Sequence, residues 1–123
     1  LLMKKTLLAS GAVLALTVLH DLDHMRQGRD LPTAVSLVGL VATVAAIGFF
    51  VWVWRDGETA RRAAGAWGVA VALGLIAIHV LPDWGPVSDP FSAADVDALS
   101  WISLIALMAS GVWLAIAGLK QTP

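Results

Sequence analysis

Four stretches of the chain are dominated by apolar residues, at about 4–25, 33–54, 60–81 and 93–119, and polar or helix-breaking residues separate them. A hydrocarbon core about 30 Å thick is crossed by roughly 20 residues of α-helix, so the pattern predicts four transmembrane helices. Lys4 and Lys5 stand ahead of the apolar run Thr6–Leu19 as in a secretory signal. No small-x-small cleavage site precedes His20, so the segment is expected to be retained as a helix. Gly28 suits the end of the first helix, and Asp30-Leu31-Pro32 the entry to the second. Arg55-Asp56-Gly57-Glu58 forms the next turn, and Pro82, Gly85, Pro86 and Pro90 break the chain before the fourth helix. Ser92 followed by Asp95 has the spacing of a capping box, which would start that helix there.

Small residues suggest how the helices meet. Ala60, Ala64, Gly68 and Ala72 recur every four positions, and Ser103, Ala106, Ser110 and Ala117 offer a similar strip on the fourth segment. Close backbone approach at small side chains drives helix association in lipid, and a seam within the bundle is the expected use. Trp52, Trp54, Trp84 and Trp101 fall near helix ends, where tryptophan anchors a membrane interface. Trp67 and Trp113 lie deeper and are expected to pack against a neighbouring helix.

Composition agrees with a bilayer. Hydrophobic residues make up 59% and charged residues 14% of the 123-residue chain, against roughly 25% charged in soluble domains. Residues 1–123 have room for one all-α domain, a four-helix transmembrane bundle, without a separate soluble module. The absence of cysteine removes disulfides, thiolate ligands, iron–sulfur clusters and cysteine nucleophiles from consideration within this chain.

Charge gives the orientation. With the N-terminus cytoplasmic, Lys4, Lys5, Arg55, Arg61, Arg62 and Lys120 fall inside, whereas only Arg26 and Arg29 fall outside. That asymmetry predicts both termini in the cytoplasm of a cell or plasma membrane. Acids are distributed the other way: Asp21, Asp23, Asp30, Asp83, Asp89, Asp95 and Asp97 outside, Asp56 and Glu58 inside. The basic residues serve topology and lipid contact, and nothing points to a nucleic-acid partner.

All three histidines then lie at the outer face. His20 and His24 end the first apolar segment and His79 ends the third. At ~100° per residue, His20, Asp23, His24 and Gln27 share one sector of a helix. Imidazoles four residues apart can converge on one ion, and His79 would approach from the third helix at the same depth. These three and Asp83, four residues after His79, are the candidate ligands, although Pro82 prevents simple helical spacing from placing Asp83. Asp21 or Asp23 is expected to accept a hydrogen bond from a non-ligating ring nitrogen and so fix its tautomer. Zinc, copper or non-haem iron suits such a donor set. The alternative is a b-type haem held between His79 and one of His20 and His24. A second class of function is an accessory or structural subunit, its lipid-facing surface packed on a larger membrane complex or in a homo-oligomer. No P-loop, dinucleotide-binding or HExxH pattern occurs, and no serine stands in the context of a nucleophile, so no reaction is identified.

Overall fold

The computed structural model describes residues 1–55 and 57–121. The helices are α1 (Leu2–Gln27), α2 (Thr33–Arg55), α3 (Glu58–Leu75), a short α4 (Phe91–Ala94) and α5 (Ala98–Leu119). A π-helical turn, Ile76–Val80, continues α3. Four of these, Leu2–Gln27, Thr33–Arg55, Glu58–Val80 and Ala98–Leu119, are long and apolar enough to cross a membrane. Their exposed leucines, isoleucines and valines, such as Leu40, Val41, Ile102 and Ile116, are the surface that lipid would cover.

The helix ends follow local chemistry. Gly28 takes the left-handed conformation (φ 65°) and its N–H reaches the Met25 carbonyl, closing α1 as expected. The fourth segment departs from expectation. Phe91–Ala94 is a separate turn of helix, Asp95 itself is left-handed (φ 53°), and the long helix starts only at Ala98. Its cap is Asp97, which accepts from the Ser100 N–H at 3.2 Å, so the Ser92/Asp95 pair does not open this helix.

α5 packs against both α1 and α3, and glycine makes the second contact a backbone one. A methyl group placed on Gly68 would collide with the Gly111 carbonyl and lie 2.7 Å from the Ala115 nitrogen, and one on Gly118 would lie 2.5 Å from the Gly65 Cα. Ala60 and Ala64 are fully buried on the same face. The strip on α3 is therefore an internal seam, and its partners on α5 include Gly111 and Gly118, while the anticipated Ser110 and Ala117 are buried on α5 as well. Around it Val13, Val53, Leu107 and Leu114 complete the apolar core. Trp67 stacks on Phe49 of α2 at 5.5 Å, whereas Trp113 is 44% exposed and faces outward rather than packing on a neighbour.

Polar contacts pin the two ends of the bundle. At one end the buried Arg61 donates to the Ala117 and Gly118 carbonyls at 3.0 and 2.6 Å and pairs with Glu58. A cation thus meets the unsatisfied carbonyls that close α5, while Glu58 sits at the N-terminus of α3. Thr6 also donates to Ala117 (3.3 Å), so the start of α1 and the end of α5 lie at this end. At the opposite end Arg26 bridges Asp23 and Asp97 (2.8 and 2.7 Å), tying the end of α1 to the start of α5.

The seam makes a direct prediction for detergent-solubilised protein. Gly68→Leu is expected to lower stability by about 3 kcal/mol, near the top of the usual overpacking range, because backbone rather than a mobile side chain stands in its way. Gly48→Leu, where nothing lies within 4 Å of an added methyl group, is expected to leave the melting temperature unchanged or raised. Equal effects of the two substitutions would show that the seam contributes little.

Candidate metal centre

Pro82 governs the local structure around His79. Proline has no N–H to give the Ile78 carbonyl, and its ring crowds that carbonyl, so the α-pattern cannot continue. The chain widens instead: the Leu81 N–H reaches back five residues to Ile76 at 3.0 Å. Two carbonyls are thereby left without intrahelical partners. Ala77 accepts from the Trp84 indole N–H at 2.6 Å, and Ile78 accepts from the Asp89 backbone N–H at 2.8 Å. The loop is folded back on the helix end by the bonds that Pro82 made vacant.

Folding back brings Asp89 to His79. The Asp89 carbonyl lies 2.9 Å from His79 Nδ1, so that nitrogen is the donor and Nε2 is left with its lone pair free. His79 Nε2 lies 3.3 Å from His20 Nε2, and His20 Nε2 lies 3.1 Å from His24 Nε2. The three side chains form one group, with ligand atoms all within 4.8 Å of one another, and His20 and His79 are buried. Phe91 of α4 closes over the rings, its centroid 4.3 Å from that of His79.

The acids near the group are committed elsewhere. Asp23 accepts from Arg26 and from Gln27 (2.9 Å), and Asp21 accepts from the Thr43 hydroxyl of α2 at 2.5 Å. Neither carboxylate receives a ring N–H, and His20 Nδ1 and His24 Nδ1 are buried without a hydrogen-bond partner. The expectation that Asp21 or Asp23 orients a histidine thus gives way to a different arrangement, in which the Asp89 carbonyl orients His79. Asp83 is exposed and accepts from the Gly85 N–H at 3.3 Å, outside the histidine group. The distortion at Pro82 carries it away from the helical phase that would have placed it beside His79.

Asp89, which the charge pattern only placed among the outer acids, is the residue the sequence did not single out. It is buried, Arg29 pairs with it at 2.9 Å, and one of its oxygens lies 3.5 Å from His79 Nδ1. Burial pushes its carboxyl up, but the Arg29 hydrogen bonds and charge outweigh that and hold it below the usual carboxylate range. Asp97 is held at about 2 by hydrogen bonds from Arg26 and the Ser100 backbone. The sequence held one signal for Asp89: a carbonyl orphaned by proline needs a donor from the following loop.

Comparison with known proteins adds no relative: no family model, curated protein or solved structure matches the chain.

The two depressed carboxyls set an acid limit for this end of the bundle. Their folded values lie below the ordinary value of 3.8, so their stabilising contribution is complete above about pH 4 and is lost as pH falls through the folded values, toward pH 2 for Asp97. Melting in detergent at pH 5 and at pH 2.5 is expected to differ less in Asp97→Asn than in the native chain. An unchanged difference would show that the Arg26–Asp97 pair contributes nothing to acid sensitivity.

Proposed function

We propose that this chain is an integral membrane protein that holds one transition-metal ion between His20, His24 and His79, on the extracytoplasmic side. The convergence of three imidazole Nε2 atoms carries the reading. Two metal–nitrogen bonds of the usual 2.0–2.1 Å at a tetrahedral angle put nitrogens about 3.3 Å apart, and the Nε2 separations from His20 are 3.1 and 3.3 Å. Without an ion, His20 Nε2 has at most one proton to share between two neighbouring nitrogens, and the carbonyl bond of His79 leaves its Nε2 an acceptor only. A cation would satisfy all three lone pairs together.

The donor set favours zinc or copper. Imidazole suits zinc, copper and iron, but the open iron sites of oxygenases use two histidines and a carboxylate, whereas the group here is three histidines. Three protein ligands leave a fourth position for water or another molecule. A b-type haem is less well supported, because its axial rings must stand on opposite faces of a macrocycle. The His20 and His79 rings instead meet at 71° with centroids 5.1 Å apart, and His24 fills the remaining side.

Orientation rests on charge. The start of α1 and the end of α5 share one end of the bundle with the Arg61–Glu58 pair, and the histidines occupy the other. The positive-inside bias assigns the first end to the cytoplasm.

Two measurements test this reading. Metal analysis of purified protein is expected to give about one ion per chain, with His20→Ala, His24→Ala and His79→Ala each weakening retention by more than about 100-fold, beyond what loss of an outer hydrogen bond costs. Asp83→Asn is expected to retain the ion, and every variant to insert normally in the membrane. A triple histidine variant that keeps full occupancy would defeat the assignment. For topology, cysteines placed at Asp30 and Ser92 are expected to react with an impermeant reagent on intact cells, while Gly57→Cys stays protected; the reverse pattern would put the histidines inside.

A further inference from the structure

Beside the histidines runs a slot of about 200 Å³ between α1, α2 and α3. Trp67, Val71, Gly74 and Ile78 line it from one face of α3 before His79, and at 1.5 Å per residue the span from Trp67 to His79 is about 18 Å long. Val35, Gly39 and Ala42 line it from α2. Small residues hold it open: a methyl group added at Gly39 or at Gly74 would meet nothing within 4 Å. α2 is also the least buried of the four long helices, so the slot borders the surface that lipid covers.

An apolar slot in a bilayer protein would ordinarily be filled by an acyl chain. The polar atoms on its walls argue for a different occupant. His20, His24 and Trp67 all line it, and His20 Nδ1, His24 Nδ1 and the Trp67 indole N–H are buried with no partner. The indole N–H can only donate, and a ring Nδ1 donates or accepts according to its tautomer, with or without an ion, so each of the three lacks a partner that a hydroxyl, donor and acceptor at once, can supply. Asp21 also lines the slot, and its carboxylate, which accepts from the Thr43 hydroxyl, can accept a further hydrogen bond. Walls that are apolar, with unpaired polar atoms and one carboxylate, match a molecule with an apolar body and a hydroxyl.

We propose that the slot between α1, α2 and α3 binds a small lipid-soluble hydroxyl compound of phenol size, taken from the bilayer, with its oxygen at the His20–His24–His79 end. Cavities of about 150 Å³ accept benzene, so the available volume suits one ring with a substituent. The placement of the oxygen at the ion's open position rests on the metal reading above. Occupancy of the slot does not.

The test uses the full chain in detergent, with 4-fluorophenol and fluorobenzene as probes read by fluorine NMR. In metal-free protein 4-fluorophenol is expected to bind saturably and about tenfold more tightly than fluorobenzene, the factor that one added hydrogen bond of about 1.4 kcal/mol supplies. Gly74→Leu, which fills the slot without touching the histidines, is expected to abolish that binding. In protein loaded with cobalt(II), the bound fluorine signal is expected to broaden by proximity to the ion, and Gly74→Leu to keep its cobalt while losing the broadening. Failure to bind cobalt would count against the metal reading alone, since the metal-free titration still reads the slot. Equal affinity for the two probes, no saturable binding of either, or undiminished binding in Gly74→Leu would overturn the proposal and leave the slot to lipid.

Discussion

Backbone contact between α3 and α5 is the constraint on which the other features of the bundle depend. In lipid there is little hydrophobic force to draw one apolar helix to another, so helices associate where small residues let them approach closely. Gly65 and Gly68 against Gly111 and Gly118 provide that approach, and the fit admits no added methyl group. The position of α3 along α5 is therefore fixed by interlocking backbones rather than by adjustable side chains. α1 is set against the same helix by the Arg26–Asp97 bridge at one end and the Thr6–Ala117 bond at the other. α5 thus aligns His79 on α3 with His20 and His24 on α1, although neither histidine helix owes its main packing to the other.

α2 shows what happens without such a seam. It has only Val35, Ala46 and Val53 buried among its 23 residues, and Gly39 and Gly48 have open space where a side chain would be. Besides the buried Val53 and the contact of Phe50 with Gly11, the Phe49–Trp67 stack and the Thr43–Asp21 hydrogen bond link it to the remainder. A loosely held helix beside two tightly registered ones leaves room between them, and this is where the slot next to the histidines arises. The void and the ordered cluster have a common origin in the unequal packing of the four helices.

Much of this was legible in the residues. Spacing and hydropathy predicted the four long helices to within a few residues, Gly28 closes α1 as expected, and the count of crossings brings all three histidines to one end. The alanine and glycine repeat on α3 identified its seam, but Gly111 and Gly118, seven residues apart, do not stand out in a helix rich in small residues. The loop from Leu81 to Asp97 was the least readable segment. Its path is set by which donors reach the carbonyls left open by Pro82, and that depends on three-dimensional closure rather than on helical period. Nearness in sequence to His79 made Asp83 a candidate that helical spacing could not place past Pro82, whereas closure brings Asp89 and Phe91 to the histidines. Likewise Asp97 prevails over Ser92 and Asp95 as the helix cap because it also answers Arg26 across from α1.

The arginines at this end determine what chemistry the histidines can support. Arg26 occupies Asp23 and Asp97, and Arg29 occupies Asp89, so three carboxylates within reach of the bundle end are held by guanidinium groups. An unengaged carboxylate near an ion would tend to join its coordination shell. With these engaged, the imidazoles remain the convergent donors, and a neutral donor set leaves the charge of a bound dication uncompensated in its immediate shell. Charge in a low-dielectric interior is costly unless balanced nearby. Two acids lie near the rings: Asp89, whose charge Arg29 already meets and whose carboxylate lies 3.5 Å from His79 Nδ1, and Asp21, which is paired with a hydroxyl rather than a cation. The two acids differ in consequence, because Asp89 is anchored through its backbone to the end of α3 while Asp21 is tied to the loosely packed α2.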